Sequence, residues 1–285
     1  MPGTLYVVAT PIGNLEDITL RALRVLREVN VIAAEDTRRT AKLLSAHSIS
    51  TPTTSFHAHN TRARLPHLLH QLRAGNDVAL VSDAGTPGVS DPGVELVRAC
   101  VDAGLKVDVV PGPTAPIAAA TVSGFSLNHL TVLGFVPRKT VDRGRFLKDV
   151  LAARGTVCFF ETPHRIAATL HEMADILGER QILVARELTK VHQEFLRGTS
   201  QEVLSRLGPP RGEFTLVIDQ SSPVVATGQI ETDAETAVQF MSSDSAGTRS
   251  RRGQVVAFAR GLGRPAREVY AALERAKLSS PTEDS

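Results

Sequence analysis

Residues 83–93 read DAGTPGVSDPG and follow directly on the apolar run Val78-Ala79-Leu80-Val81. Glycine lets backbone approach a ligand closely, proline stiffens a turn, and aspartate caps helices or accepts from hydroxyl and amino groups. A plain strand-to-helix connection needs only about two to six residues. A loop this rich in special residues points to a small-molecule site at a strand's carboxyl end; an over-long ordinary connection is the plain alternative. Two further Gly/Pro loops follow apolar runs, Pro11-Ile12-Gly13-Asn14 and Pro111-Gly112-Pro113-Thr114-Ala115. In an open α/β sheet, ligands bind in the crevice beyond such ends.

The dinucleotide fingerprint G-x-G-x-x-G is missing after the first strand, where the text is ATPIGNLED, and the phosphate loop G-x-x-x-x-G-K-[ST] is missing altogether. Both absences weigh against a nicotinamide dehydrogenase or an NTPase. His57-x-His59 has no matching carboxylate or cysteine spacing, so no metal is expected. Asp83 and Asp91 stand eight residues apart, and nothing in that spacing marks them as an acid/base pair.

The elements that must position these loops alternate regularly. Strand patterns at Leu5–Thr10, Val31–Glu35, Thr54–Phe56, Val78–Ser82 and Val107–Val110 are separated by helical patterns at Thr19–Val29, Thr37–His47, Arg62–Arg73 and Val94–Ala103. This βα repetition predicts a mostly parallel sheet with helices on both faces. Four more strand-like runs, HLTVLGFVP, GTVCFFETP, QILVAREL and GEFTLVID, alternate with helical patterns at Arg145–Ala153, Arg165–Leu177 and Ser200–Leu207 and predict a second, mixed sheet. The expected organisation is therefore α/β: one α/β domain over residues 1–118, a second over 119–220, a linker over 221–233, and a small helix-turn-helix-like module over 234–278. Within that module, residues 249–267 carry six arginines, which would suit RNA phosphates; a passive helical cap is the alternative.

The chain has 285 residues, 42% hydrophobic and 22% charged, the composition of a globular protein of about two domains. A formal net charge of +2 declares no nucleic-acid binder, although arginines and lysines cluster at 38–39, 62–64, 138–148 and 249–252. Cys100 and Cys158 lie inside apolar elements, as expected of reduced, buried thiols in a cytoplasmic protein. The start has no basic n-region, and no apolar stretch approaches the ~18 residues of a membrane span, so neither a signal peptide nor a membrane partner is expected.

The segments ATPIGNLEDIT, AAEDTRRT, SFHAHN, VALVSDAGTPGVSDPG, VVPGPTA, FETPHR, ARELTKVHQEF and GEFTLVI run in order over about residues 4–219. In these segments the chain resembles the tetrapyrrole methylase superfamily and, within it, the branch that methylates small-subunit ribosomal RNA. SFHAHN and ARELTK separate that branch from its porphyrin-methylating cousins; the carboxyl-terminal stretch matches only loosely. The resemblance implies two class III methyltransferase-type domains with S-adenosyl-L-methionine in the cleft between them. It further implies a homodimer and a 16S ribosomal RNA substrate, with methyl transfer to a cytidine 2′-hydroxyl. It assigns the cofactor to Pro11, Asp83, Ala84, Gly85, Thr114 and Ala115 on one side, and to Phe160, Glu161 and Phe214 on the other.

A ribose hydroxyl has a high pKa, so an enzyme must align it and help remove its proton. On the resembling segments the candidates are Asp36, Arg38, His57, Asn60, Glu187 and Lys190. A helix cap or a surface ion pair would explain each of them equally well. A tetrapyrrole-like acceptor, or a non-catalytic ribosome-assembly role on the same fold, are the competing expectations.

Overall fold

The computed structural model describes residues 1–220, together with Val255 and Val269, which are helical and buried. The helical module expected over 234–278 otherwise lies outside the described residues, as does the linker.

The first sheet holds β1 (Thr4–Val8), β2 (Val31–Ala34), β3 (Thr53–Ser55), β4 (Val78–Val81) and β5 (Lys106–Val110) in the order β3-β2-β4-β1-β5. All neighbours are parallel. The helices are α1 (Leu20–Glu28), α2 (Thr37–Ala46), α3 (Thr61–Arg73) and α4 (Val94–Asp102). Side chains of a strand alternate between faces, and β4 shows the result. Ala79 and Val81 pack with Val25 and Leu26 of α1 and Leu43 and Leu44 of α2. Val78 and Leu80 pack instead with Leu68 and Leu72 of α3 and Leu96 and Cys100 of α4. An unbroken apolar run is what a strand covered on both faces requires.

The second sheet holds β6 (Leu130–Phe135), β7 (Thr156–Glu161), β8 (Ile182–Arg186), β9 (Glu194–Gly198) and β10 (Phe214–Asp219), ordered β6-β7-β10-β8-β9. Its β6–β7 pair is parallel and the rest antiparallel, the mixed sheet anticipated from the pattern. Strand β9 is the addition to the expected set. Its five residues, EFLRG, carry two charges and no clean alternation, which is how a short edge strand avoids pairing with other chains.

One face of this sheet is covered by α6 (Thr140–Ala152), α7 (Ile166–Leu177) and α8 (Ser200–Arg206), whose Phe146, Leu170, Met173 and Val203 meet Val157, Phe159, Val184 and Leu216. On the other face lie Cys158, Leu183, Ala185 and Val217, which pack with Ala119 and Ala120 of α5 (Ala115–Thr121). The expected division at 118/119 falls inside α5, which leaves β5 of the first sheet and packs on the second. Both cysteines are buried, and burial pushes their thiols up, to about 11 for Cys100 and about 12 for Cys158, so neither is a nucleophile at neutral pH.

Helix α8 begins with a full capping box: Thr199 accepts from the Glu202 N–H, and Glu202 accepts from the Thr199 N–H. Thr199→Ala removes one side of it and is expected to cost about 1 kcal/mol, read as a lower urea midpoint at unchanged slope.

Candidate active site

The strand order places β1 between β4 and β5, so the three Gly/Pro loops at their carboxyl ends lie side by side. Thr10 and Gly85 form an antiparallel bridge, each N–H donating to the other's carbonyl at 2.9 and 3.0 Å. Gly85 sits at φ +78°, in the left-handed region that glycine enters without cost. The Thr86 hydroxyl then donates to the Pro113 carbonyl at 3.2 Å, joining the second loop to the third.

These loops form one wall of a cleft lined by Ile12, Ala84–Thr86, Val89–Asp91 and Thr114–Pro116. The opposite wall comes from the second sheet and its loops: Phe135, Phe160, Leu188, Glu213 and Thr215. The rings of Phe135 and Phe160 lie 5.1 Å apart, tilted by 39°. Of the residues assigned to the cofactor by resemblance, Ala84, Gly85, Thr114, Ala115 and Phe160 line this cleft. Pro11 and Asp83 face an adjoining hollow instead, with Arg39, Lys42 and Ser82.

Glu161 and Phe214 do not line the cleft, and strand alternation is the reason. On β7, Phe160 points into the cleft, so Glu161 points to the helical face, where it is 1% exposed. There it pairs with Arg165 at 2.7 Å and accepts from the Thr162 N–H and the Thr169 hydroxyl. On β10, Thr215 faces the cleft, and Phe214 enters the core beneath the Arg186 guanidinium.

The acceptor candidates are largely engaged with one another. Asp36 caps α2, accepting from the Arg38 backbone N–H and from its guanidinium, both at 2.9 Å. Those bonds hold its carboxyl down at about 2, too acidic for a base at neutral pH. Asn60 staples its own loop: its Oδ1 accepts from the His57 N–H, and its Nδ2 donates to the Ser55 carbonyl and hydroxyl. His57 Nδ1 is buried without a hydrogen-bond partner.

Lys190 Nζ donates to Glu187 Oε1 at 2.8 Å and to Glu213 Oε2 at 3.0 Å, and Glu187 Oε1 also accepts the Glu213 N–H. Burial works against the charge on Glu187, but Lys190 and that N–H outweigh it and hold the carboxyl below its ordinary value. Burial likewise opposes the Lys190 ammonium, which its two carboxylates hold above its ordinary value. The set is a clamp at the rim of the cleft.

Asp91 is the cleft residue that sequence reasoning passed over. It stands on a loop in which Gly88, Ser90 and Gly93 all have positive φ, at +84°, +67° and +135°. Burial and then the nearby Glu35 raise its carboxyl to about 7, with Asp83 and Glu213 adding to the shift and Ser82 opposing it. Loop composition carried little signal for this, because Glu35 and Glu213 come from elsewhere in the chain and only Asp83 shares the loop.

The two walls are latched where the loop after β1 meets the loop after β8. The Asn14 N–H donates to the Thr189 hydroxyl at 3.0 Å. A Cβ on Gly13 would collide with the Leu188 carbonyl and stand 2.6 Å from Lys190 Cγ.

The family model for tetrapyrrole (corrin/porphyrin) methylases matches residues 4–204. Ribosomal RNA small subunit methyltransferase I of Synechocystis sp. is 49% identical over 224 residues, 78% of this chain and 80% of that protein. The protein of the same name from Halalkalibacterium halodurans is 42% identical over 272 residues, 94% of this chain and 93% of its own length. Among solved structures, uroporphyrin-III C-methyltransferase from Thermus thermophilus, complexed with S-adenosyl homocysteine, shares the fold with a TM-score of 0.53. It is 21% identical, and the match covers 76% of this chain and 98% of that one.

Because the latch tolerates no side chain at position 13, Gly13→Ala is expected to lower stability by roughly 1–3 kcal/mol, the scale of overpacking. Chemical denaturation measures this, and an unchanged midpoint would show that the two loops part without consequence.

Proposed function

The chain belongs to the tetrapyrrole (corrin/porphyrin) methylase family, and from that premise we propose that it methylates small-subunit ribosomal RNA with S-adenosyl-L-methionine. The observation that carries this reading is the two-walled cleft at the carboxyl ends of β1, β4 and β5, in a chain so similar to proteins named for that activity.

The residues present fit the methyl donor. The Phe135–Phe160 pair offers an apolar face for adenine. No lysine or arginine is among the lining residues, whereas Asp91 and Glu213 are, so the local potential suits a cation. When bound, S-adenosyl-L-methionine supplies an electrophilic methyl on a positively charged sulfur.

What the chain itself does is bind and orient. The Thr10–Gly85 bridge and the Thr86–Pro113 bond make one wall rigid. The Lys190 clamp holds Glu213 at the rim of the other. Rigid walls matter because transfer requires sulfur, methyl and acceptor oxygen in line, and small misplacements are costly.

The finer parts of the proposal are a cytidine 2′-hydroxyl as acceptor, a homodimer, a cytoplasmic location among ribosomes, and RNA phosphates gripped by the arginines of residues 249–267. The linker over 221–233 and the module over 234–278 belong to it too. Among the described residues, no helix is long and apolar enough to cross a membrane.

Two experiments test the reading. Purified protein incubated with methyl-labelled S-adenosyl-L-methionine and small ribosomal subunits should label one ribose in the RNA; an absence of label would overturn the proposal. Gly85→Val forces a branched side chain into φ +78° beside Ile12. It is expected to weaken cofactor affinity at least ~100-fold, about 2.7 kcal/mol, by calorimetry.

A further inference from the structure

We infer that Asp91 is the group that takes the proton from the acceptor hydroxyl. This rests on the methyltransferase reading above and adds the residue that completes its chemistry. Asp91 lines the cleft on the wall that carries Gly85 and Thr114, facing Glu213 and Thr215 on the other.

The neighbouring carboxylates are occupied. Asp83 pairs with Arg39 and accepts the Asp36 N–H, Glu213 pairs with Lys190, and Glu35 accepts the Asp83 N–H. Asp91 has the Ser82 hydroxyl and, among the described residues, no cationic partner. The loop holding it has four positive-φ residues, Gly85, Gly88, Ser90 and Gly93; Ser90, which lies close against Gly134 at the second sheet, is the one non-glycine among them and is strained there. Strain of that kind is retained where geometry is used.

The groups facing Asp91 are Glu35 at the end of β2, Ser82 and Asp83 after β4, and Glu213 before β10. His57 lies beyond Glu35. Together with burial, the three carboxylates lift Asp91 to about 7, which matches a base to neutral pH. The step balances. The acceptor oxygen forms its bond to the methyl carbon as the sulfur–carbon bond breaks, and the electron pair of that bond stays on the now neutral sulfur. The hydroxyl proton passes to Asp91 Oδ, and the neutral acid then releases it to water.

Asp91 accepts a proton only when ionised, so kcat/KM should be full above about 7 and fall as pH drops through it. Asp91→Asn keeps the size of the side chain and an oxygen for Ser82. It removes one of the two lining carboxylates, so S-adenosyl-L-methionine affinity should fall by no more than about tenfold in calorimetry, while turnover on small subunits at saturating cofactor falls by at least ~100-fold and what remains lacks the acidic limb. Without cofactor, carboxyl-carbon NMR of the wild-type protein should show one aspartate titrating near 7, missing in the variant.

An Asp91→Asn protein that turns over normally would overturn the assignment while leaving the methyltransferase reading intact. So would one whose turnover is restored at saturating cofactor, or an Asp91 that titrates as an ordinary aspartate. A wild-type protein that labels no ribosomal RNA would overturn both.

Discussion

The cleft exists because the loop after β1 is seated in the second half of the molecule. Ile12 is buried in the same cluster as Cys158, Leu183 and Val217 of the second sheet, with Ala119 and Ala120 of α5. Gly13 allows backbone to approach the Leu188 carbonyl, and Asn14 closes the contact through Thr189. A burial of apolar surface therefore sets the distance between the two walls, and one hydrogen bond sets their register. Helix α5 reinforces the arrangement from the other end, since it begins at the ligand-facing Thr114 and finishes against β7 and β10.

Charge around this cleft follows from the same geometry. The parallel sheet brings Glu35, Asp83 and the loop bearing Asp91 to one edge, and the second half adds Glu213. Like charges in a half-buried place oppose one another's ionisation unless cations answer them. Arg39 and Lys190 answer two of the group, and Asp36 is satisfied by Arg38 at the start of α2. Burial, together with the unmet repulsion, raises both Asp91 and Glu35. A pocket with carboxylates and no cation on its lining is also one that favours a positively charged sulfur over an anionic ligand.

The division between the faces of a strand explains which aromatic residues line the cleft. Phe160 and Phe159 are adjacent, yet one lines the cleft and the other stacks edge-on against Phe146 in the core. Thr215 and Phe214 divide the same way. The resemblance named Phe160, Glu161 and Phe214 together; the pleat turns Phe160 and Thr215 to the cleft and Glu161 and Phe214 to the helical face.

Apolar periodicity, turn residues and caps by themselves determined the elements, because those preferences act within a few residues along the chain. The VALV run and the three Gly/Pro loops were legible in this way, and the ordered motifs were enough to identify the family. Strand β9 escaped because an edge strand needs no apolar alternation. Only the tertiary structure decided which loops meet, that Asp83 turns toward Arg39 rather than into the cleft, and that Asp36, Glu187 and Lys190 are satisfied within their own networks. It alone decided that Asp91, already in one loop with Asp83, also stands near Glu35 and Glu213, which are 56 and 122 residues away along the chain. Electrostatic repulsion depends on distance through space, and no local pattern in the chain records it.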